Sequence, residues 1–268
     1  MSKLDWLTAR PIAHRGLHDA SSGVIENTAA AFSAAIAAGY GFETDLQISA
    51  DNEAMVHHDD ALGRLTEGSG LLAEMTAAEI KAVRFKASAG RILTLGELCD
   101  LVAGRTTLLL EVKSRFDGDM RLARRAIDVL SGYQGPVAFM SFDPALVEFA
   151  RHKASTLPRG IVAERHYSDG EWAKLTDSQK RSMSWFLHVP YSRPQFIAYS
   201  VKDLPAMPPL LARTMLGLPL LTWTVRSEVD RRLAARWADQ ILFEGWRPLI
   251  PSAGAGSAPA GQAQLKFG

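Results

Sequence analysis

Three acidic residues lie on apolar segments of this sequence, at spacings that would bring their side chains together. Glu43 and Asp45 are one residue apart, and Glu111 lies on another apolar run farther along the chain. Alternate side chains of a β-strand point the same way, so Glu43 and Asp45 would share one face. Buried carboxylates need a counter-charge, and a hard divalent cation suits an all-oxygen set. The alternative is that each acid pairs with a lysine or an arginine.

Two histidines lie where they could reach the same place. His14 follows the first apolar run, and His58 stands beside Asp59 in a long connecting segment. Two histidines near a metal suit a general acid and a general base, whereas either one alone would favour a structural or surface role. Such roles are assigned to the other five histidines, which are His18, His57, His152, His166 and His188.

The elements that must position these groups are short apolar runs that alternate with helical patterns. The runs cover residues 11–13, 41–48, 107–113, 137–141, 160–163, 196–199, 220–225 and 240–243. Alternation of strands and helices predicts a parallel sheet, and eight strands predict a closed TIM (β/α)8 barrel. The acids and His14 would then meet at the mouth formed by the carboxyl ends of the strands.

The connection after the second predicted strand, about residues 48–105, is too long for an ordinary crossover. It contains two capping boxes, Thr76 with Glu79 and Thr94 with Glu97, and each predicts a short helix. We therefore expect a small insertion at the mouth. Residues 171–188 are predicted to be helical, although the segment around Trp185 also resembles a strand.

Length and composition agree with one barrel domain over residues 1–250. The chain has 268 residues, and residues 251–268 form an Ala/Gly/Ser/Pro-rich tail that we predict to be disordered. The net charge of +1 gives no electrostatic reason to expect a nucleic-acid partner. No apolar run approaches the ~20 residues of a membrane helix, and no leader is evident. A lone cysteine, Cys99, fits a reducing compartment, so we expect a cytoplasmic protein without membrane insertion.

Five short motifs occur in a characteristic order between Ile12 and Lys113. They are His14-Arg15-Gly16, Glu26-Asn27-Thr28, Glu43-x-Asp45, His58-Asp59-x-x-Leu62-x-Arg64-x-Thr66 and Glu111-x-Lys113. Each is weak alone, but together and in this order they resemble the glycerophosphodiester phosphodiesterase family. The resemblance implies a TIM barrel with a small insertion after the second strand. It also implies hydrolysis of a small-molecule phosphodiester to glycerol 3-phosphate and an alcohol.

The resemblance further implies a role for each matching residue. Glu43, Asp45 and Glu111 would bind one divalent cation, which we expect to be Mg2+ or Ca2+, with Mn2+ as a further candidate. His14 and His58 would be the acid/base pair, in either order, and Arg15 and Lys113 would contact the phosphate. Glu26 and Asn27 would hold the site residues in place without contacting the substrate themselves, although Glu26 could also lie nearer to the reacting groups. The nucleophile is either water or the glycerol 2-hydroxyl.

The C-terminal half departs from the family pattern at two positions. Arg226 stands where many members have Asn after W-T-V, and Glu244 stands where many have the Asp of a Thr-Asp pair. Arg226 would bind the phosphate or an anionic group of the alcohol, or else form a salt bridge with Glu244. Because of these departures, other functions stay open. They are a phosphodiesterase or lysophospholipase D for another diester, a non-catalytic barrel, or a metal-dependent lyase.

Overall fold

A computed structural model describes residues 4–168 and 170–250, and these residues form a closed barrel of eight parallel strands. Strand β1 pairs in parallel with both β2 and β9, which closes the sheet, so the predicted TIM barrel is confirmed. A ninth strand, β3, lies antiparallel on β2 at Leu46–Ile48. The strands are β1 Ile12–Ala13, β2 Gly41–Ile48, β3 Ala54–Val56, β4 Leu108–Val112, β5 Val137–Ser141, β6 Arg159–Ala163, β7 Phe196–Ser200, β8 Leu220–Val225 and β9 Gln240–Phe243.

Helices surround the barrel, and several begin at the capping residues that the sequence shows. Thr28, Asp143 and Ser227 each accept a backbone hydrogen bond at a helix start, which satisfies a donor that has no partner in the helix. The helices are α1 Asp5–Thr8, α2 Ala29–Ala37, α3 Ala77–Ala82, α4 Leu95–Val102, α5 Arg121–Leu130, α6 Pro144–Lys153, α7 Asp177–Ser184, α8 Val189–Ser192, α9 Met207–Leu216 and α10 Glu228–Trp237. Helices α1, α8 and α9 were not predicted; α9 carries its prolines in the first turn, where they are tolerated.

The long connection between β2 and β4 forms a small subdomain with its own apolar core. That core includes Met55, Leu72 and Ile80, and both predicted capping boxes are present. Helix α4 belongs instead to the outer layer of the barrel, because Leu98 packs with the core shared by α2 and α5. Within residues 171–188 the helical prediction is confirmed for α7, Asp177–Ser184, whereas the segment around Trp185 forms a turn before α8 and is not a strand. The predicted tail at residues 251–268 lies outside the described residues.

The barrel interior is packed with apolar side chains beneath the mouth. Leu109, Met140, Phe196 and Leu221 meet there, and Leu7 from α1 packs against the same cluster. The inward-facing carboxylates of β2 and β4 adjoin this apolar cluster: Glu43 is paired with Leu109, and Asp45 with Glu111 one layer nearer the mouth. In the described part of the chain, none of the helices has the length and apolar character needed to cross a bilayer.

Gly160 is required by the closeness of its neighbouring strand. A Cβ at this position would lie 2.2 Å from the ring of Phe196, which is fully buried and cannot move aside. We expect Gly160→Ala to lower the free energy of unfolding by about 1–3 kcal/mol through overpacking. Urea unfolding followed by circular dichroism measures this loss.

Gly132 provides the matched control for this substitution. Nothing lies within 4 Å of a Cβ placed on Gly132, so Gly132→Ala should leave the unfolding midpoint nearly unchanged. Equal stability of the Gly160→Ala protein and the wild type would contradict the close approach of β6 and β7.

Candidate active site

The three acids predicted from the sequence converge at the mouth of the barrel. Glu43, Asp45 and Glu111 each offer a carboxylate oxygen, and these atoms lie within 4.8 Å of one another. Asp45 and Glu111 are neighbours across the β2–β4 pairing, and Glu43 lies one inward-facing position below Asp45. All three side chains belong to buried residues. The period of two along β2 therefore brings the acids together as expected.

Burial makes the ionisation of the three acids unequal. Burial, reinforced by the negative charges of Asp45 and Glu111, raises the pKa of Glu43 well above its usual value. Burial also raises the pKa of Glu111. Burial acts in the same direction on Asp45, but the positive charges of Lys113 and Arg15 outweigh it and hold the pKa of Asp45 below its usual range. Asp45 is thus the anionic centre of the cluster.

Lys113 and Arg15 bring positive charge to the carboxylates. The Nζ atom of Lys113 lies 2.8 Å from Asp45 Oδ1 and 2.5 Å from Glu111 Oε1. The Arg15 backbone N–H donates to Glu43 Oε2 over 3.0 Å, and its guanidinium Nε lies 3.5 Å from Asp45 Oδ2. Both cations therefore stand beside the acids at the mouth, where an anionic phosphate would also be attracted.

Asn27 and Glu26 support this arrangement from the loop before α2. The Asn27 amide donates to Asp45 Oδ2 over 2.9 Å and accepts from the Thr44 hydroxyl over 2.7 Å, which fixes the Asp45 carboxylate. Glu26 accepts hydrogen bonds from Arg15 over 2.8 Å and from Arg64 over 2.7 Å. Asn27 thus braces an acid, whereas Glu26 orients two arginines.

His58 is held by its sequence neighbour. Its Nδ1 lies 2.8 Å from Asp59 Oδ1, and Asp59 Oδ2 accepts from Arg64 Nε over 2.6 Å. Burial lowers the pKa of His58 to about 4, so the imidazole is neutral near pH 7. A carboxylate can only accept, so Nδ1 carries the hydrogen and Nε2 keeps its lone pair. His58 is therefore a neutral imidazole whose orientation is fixed by Asp59.

His14 is held by a residue from the opposite end of the chain. Its Nδ1 lies 3.0 Å from Glu244 Oε2, and its Nε2 lies 3.9 Å from Glu43 Oε2. Burial lowers the pKa of His14 below its usual value. Arg226 donates to the same Glu244 oxygen over 2.6 Å, so the salt bridge considered in the sequence analysis is present.

A cavity of about 520 Å3 opens beside the acids and His58. Its polar side includes His58, Glu111 and Lys113, and its apolar side includes Phe142 and Trp172. Phe142 packs against Trp172 at a ring distance of 5.0 Å. The cavity therefore offers charged groups for a phosphate and an apolar wall for the rest of a small molecule.

Some residues of the candidate active site were missed, or only partly recognised, in the sequence. Asp59 and Arg64 were noted as motif letters without a role, although their spacing from His58 is a usable signal. Glu244 was noted as a departure and as a possible partner of Arg226, but its contact with His14 was missed because 230 positions separate the two residues. The cavity wall of Phe142 and Trp172 has no sequence signal, since aromatic residues are most often core. Asp143 acts as the helix cap that was predicted.

The donor set fits a hard divalent cation. All three groups are carboxylates, which such cations prefer. Among the described residues, Glu43 Oε1 is one of a few buried side-chain atoms that have no hydrogen-bond partner. An ion between the three acids would use this oxygen and remove the cost of leaving it unsatisfied.

A closed parallel barrel with a carboxylate cluster, two oriented histidines and two cations at its mouth has the groups that a metal-dependent phosphodiester hydrolase requires. Comparison with known proteins narrows this class. The model of the glycerophosphoryl diester phosphodiesterase family matches residues 14–245. The chain therefore belongs to that family, which is metal-dependent, and its activity is the hydrolysis of glycerophosphodiesters.

Individual relatives agree with this assignment. The chain is 39% identical to a glycerophosphodiester phosphodiesterase of Caldanaerobacter subterraneus over 252 residues, covering 89% of this chain and 95% of that protein. It superposes on a crystal structure of a putative glycerophosphoryl diester phosphodiesterase from Silicibacter pomeroyi with a TM-score of 0.71 at 28% identity, covering 90% and 93%. It shares its fold with an Oleispira antarctica phosphodiesterase solved with sn-glycerol-3-phosphate (TM-score 0.70, 22% identity, 87% and 91% covered).

Asp45 is the acid whose charge the site depends on most. We expect Asp45→Asn to weaken the affinity for Ca2+ or Mn2+ at least about tenfold, about 1.4 kcal/mol, because the amide removes a charged oxygen ligand. Isothermal titration calorimetry with each ion measures this change directly.

Asp100→Asn is the matched control. Asp100 is exposed on α4, so its replacement should leave metal affinity unchanged. A wild-type dissociation constant in the Asp45→Asn protein, with its fold intact by circular dichroism, would remove Asp45 from the ligand set.

Proposed function

We propose that the hydrolysis takes place at the cluster of Glu43, Asp45 and Glu111, with His14 and His58 moving the protons. The products are glycerol 3-phosphate and an alcohol. The observation that carries this proposal is the convergence on one mouth of three carboxylates, two cations and two histidines from separate strands and loops. The small-molecule glycerophosphodiester reaches them through the adjoining cavity.

Binding begins with the charge of the phosphodiester. Arg15 offers a planar fork of N–H groups, and Lys113 offers a compact ammonium group. Both already stand beside the acids, at 3.5 Å and 2.8 Å from Asp45. Because negative charge on the phosphate oxygens grows during displacement, these groups stabilise the transition state more than the substrate.

A bound divalent cation would be held by the three carboxylates and would supply Lewis-acid stabilisation of the phosphate charge. The all-carboxylate set supports Mg2+ or Ca2+, with Mn2+ as a further candidate. Phosphodiesterase activity measured after chelation and re-addition of each ion identifies the ion that supports catalysis.

The histidines are prepared for proton transfer by their carboxylate partners. Each imidazole has Nδ1 directed at an acid, so Nε2 is the atom available to the substrate. We assign His14 as the base that deprotonates the nucleophile and His58 as the acid that protonates the leaving alkoxide. His58 borders the cavity, which supports its placement beside the leaving group.

The nucleophile is either water or the glycerol 2-hydroxyl, and the two routes differ in whether a cyclic intermediate forms. Attack by the 2-hydroxyl forms a cyclic phosphate that is hydrolysed in a second step, whereas attack by water gives glycerol 3-phosphate directly. Phosphorus NMR during turnover distinguishes them, because the cyclic diester has its own resonance.

The even charge balance supports the absence of a nucleic-acid partner, and the lone Cys99 supports a cytoplasmic location. Arg226 as a direct ligand of the phosphate or alcohol stays a prediction, since its guanidinium is paired with Glu244 in the structure.

Removal of either histidine tests the acid/base proposal. His14→Ala and His58→Ala should each lower kcat for glycerol 3-phosphate release from a glycerophosphodiester by about 10²–10⁴-fold, the usual contribution of general acid–base catalysis. A coupled assay for glycerol 3-phosphate measures the loss. Wild-type rates in both variants would overturn the assignment.

Two controls sharpen this test. His152 is exposed on α6, so His152→Ala should retain full activity. A diester with a p-nitrophenol leaving group needs no protonation of that group, so it should restore activity to the variant that lacks the acid. We expect this recovery for His58→Ala; recovery of His14→Ala instead would reverse the two roles.

A further inference from the structure

The two departures from the family pattern meet in one contact. Arg226 follows β8 and Glu244 follows β9, and their side chains are joined by a 2.6 Å ion pair. We propose that Glu244 and Arg226 act as a positioning pair for His14, a role that rests on the acid/base function proposed above. Glu244 would fix the orientation and tautomer of the imidazole, and Arg226 would fix Glu244.

The first step of the argument is the direction of the His14 ring. Glu244 Oε2 lies 3.0 Å from Nδ1 and can only accept there, so the hydrogen of the neutral ring stays on Nδ1. Nε2 then keeps its lone pair and faces the carboxylate cluster, 3.9 Å from Glu43 Oε2. Among the described residues, Glu244 is the carboxylate that holds His14 Nδ1, whereas the Glu43 contact is made by Nε2.

The second step of the argument concerns the protonation state of Glu244. Burial raises the pKa of Glu244, but hydrogen bonds from His14 and Arg226 outweigh it and lower the pKa to about 2. The carboxylate is therefore anionic and a strong acceptor. Arg226 shares the same oxygen as His14, so the arginine determines where this oxygen lies.

The third step is that the backbones carrying the pair are themselves fixed. The Glu244 N–H donates to the Val225 carbonyl over 3.2 Å, and the Trp246 indole donates to the same carbonyl over 2.9 Å. The Arg226 N–H donates to Asp230 at the start of α10 over 3.1 Å. The ends of β8 and β9 are thereby joined, which sets the distance between Arg226 and Glu244.

The other histidine shows the same arrangement. His58 is held by Asp59 through Nδ1, and Asp59 is held by Arg64. Each histidine thus has a carboxylate partner that is in turn held by an arginine. For His58 the three residues lie in one motif, whereas for His14 they come from three separate strand ends. The recurrence supports a shared purpose for the two arginine–carboxylate pairs.

The test begins with Glu244→Ala and Arg226→Asn. We expect Glu244→Ala to lower kcat by about 10- to 100-fold with less than a threefold change in KM, as for other residues that orient an imidazole through its second nitrogen. Glu244→Asp should recover part of the loss. Arg226→Asn should lower kcat less, and should add little to Glu244→Ala, because Arg226 acts through Glu244.

A spectroscopic measurement separates orientation from general damage. Nitrogen-15 NMR of His14 should show the hydrogen on Nδ1 in the wild type and a shift toward Nε2 in Glu244→Ala. This readout needs no turnover, so it tests the pair even if the enzyme failed on every glycerophosphodiester, which would overturn the proposed function alone. Arg232→Asn, on the exposed side of α10, is the control and should change neither kinetics nor spectra.

Several outcomes would overturn the positioning role. One is a wild-type kcat in a folded Glu244→Ala protein, and another is an unchanged His14 tautomer in that variant. A raised KM with unchanged kcat in Arg226→Asn would instead make Arg226 a substrate-binding residue. Additive losses in the Arg226→Asn/Glu244→Ala double variant would show that the two residues act separately.

Discussion

The cost of burying three carboxylates side by side governs the architecture of this site. Glu43, Asp45 and Glu111 are brought within 4.8 Å by the pairing of two strands, and their mutual repulsion must be offset. Lys113 and Arg15 offset part of it, and a divalent cation would offset more. The same charge that makes the acids tolerable also prepares the mouth to receive an anionic diester.

Around this centre, one set of residues holds in place the side chains that are proposed to bind the metal and move the protons. Asn27 holds an acid, while Asp59 and Glu244 each hold an imidazole. The apolar interior below and the closed sheet around them keep the carrying strands rigid. A barrel suits such a site because every strand delivers its end to the same mouth, so groups far apart in the chain meet without long loops.

The barrel and the convergence of the three acids could be predicted from the sequence because both depend on local patterns. Alternation within β2 and β4 placed the acids, and the ordered motifs placed His14 and His58. Glu244 could not be placed in this way: its contact with His14 exists only when β9 closes on β1. Helix α9 was missed because its first-turn prolines obscure the pattern, and the Phe142–Trp172 wall because aromatic residues usually signal core.

The partner of His14 has a consequence for the life of the chain. His14, the three acids and His58 are all synthesised within the first half of the sequence, whereas Glu244 directly follows the last strand, β9. A nascent or truncated chain that lacks this strand carries the complete acid cluster but an imidazole with no Nδ1 acceptor. Under the positioning role proposed for Glu244, hydrolysis at full rate therefore requires that the last strand has closed the barrel.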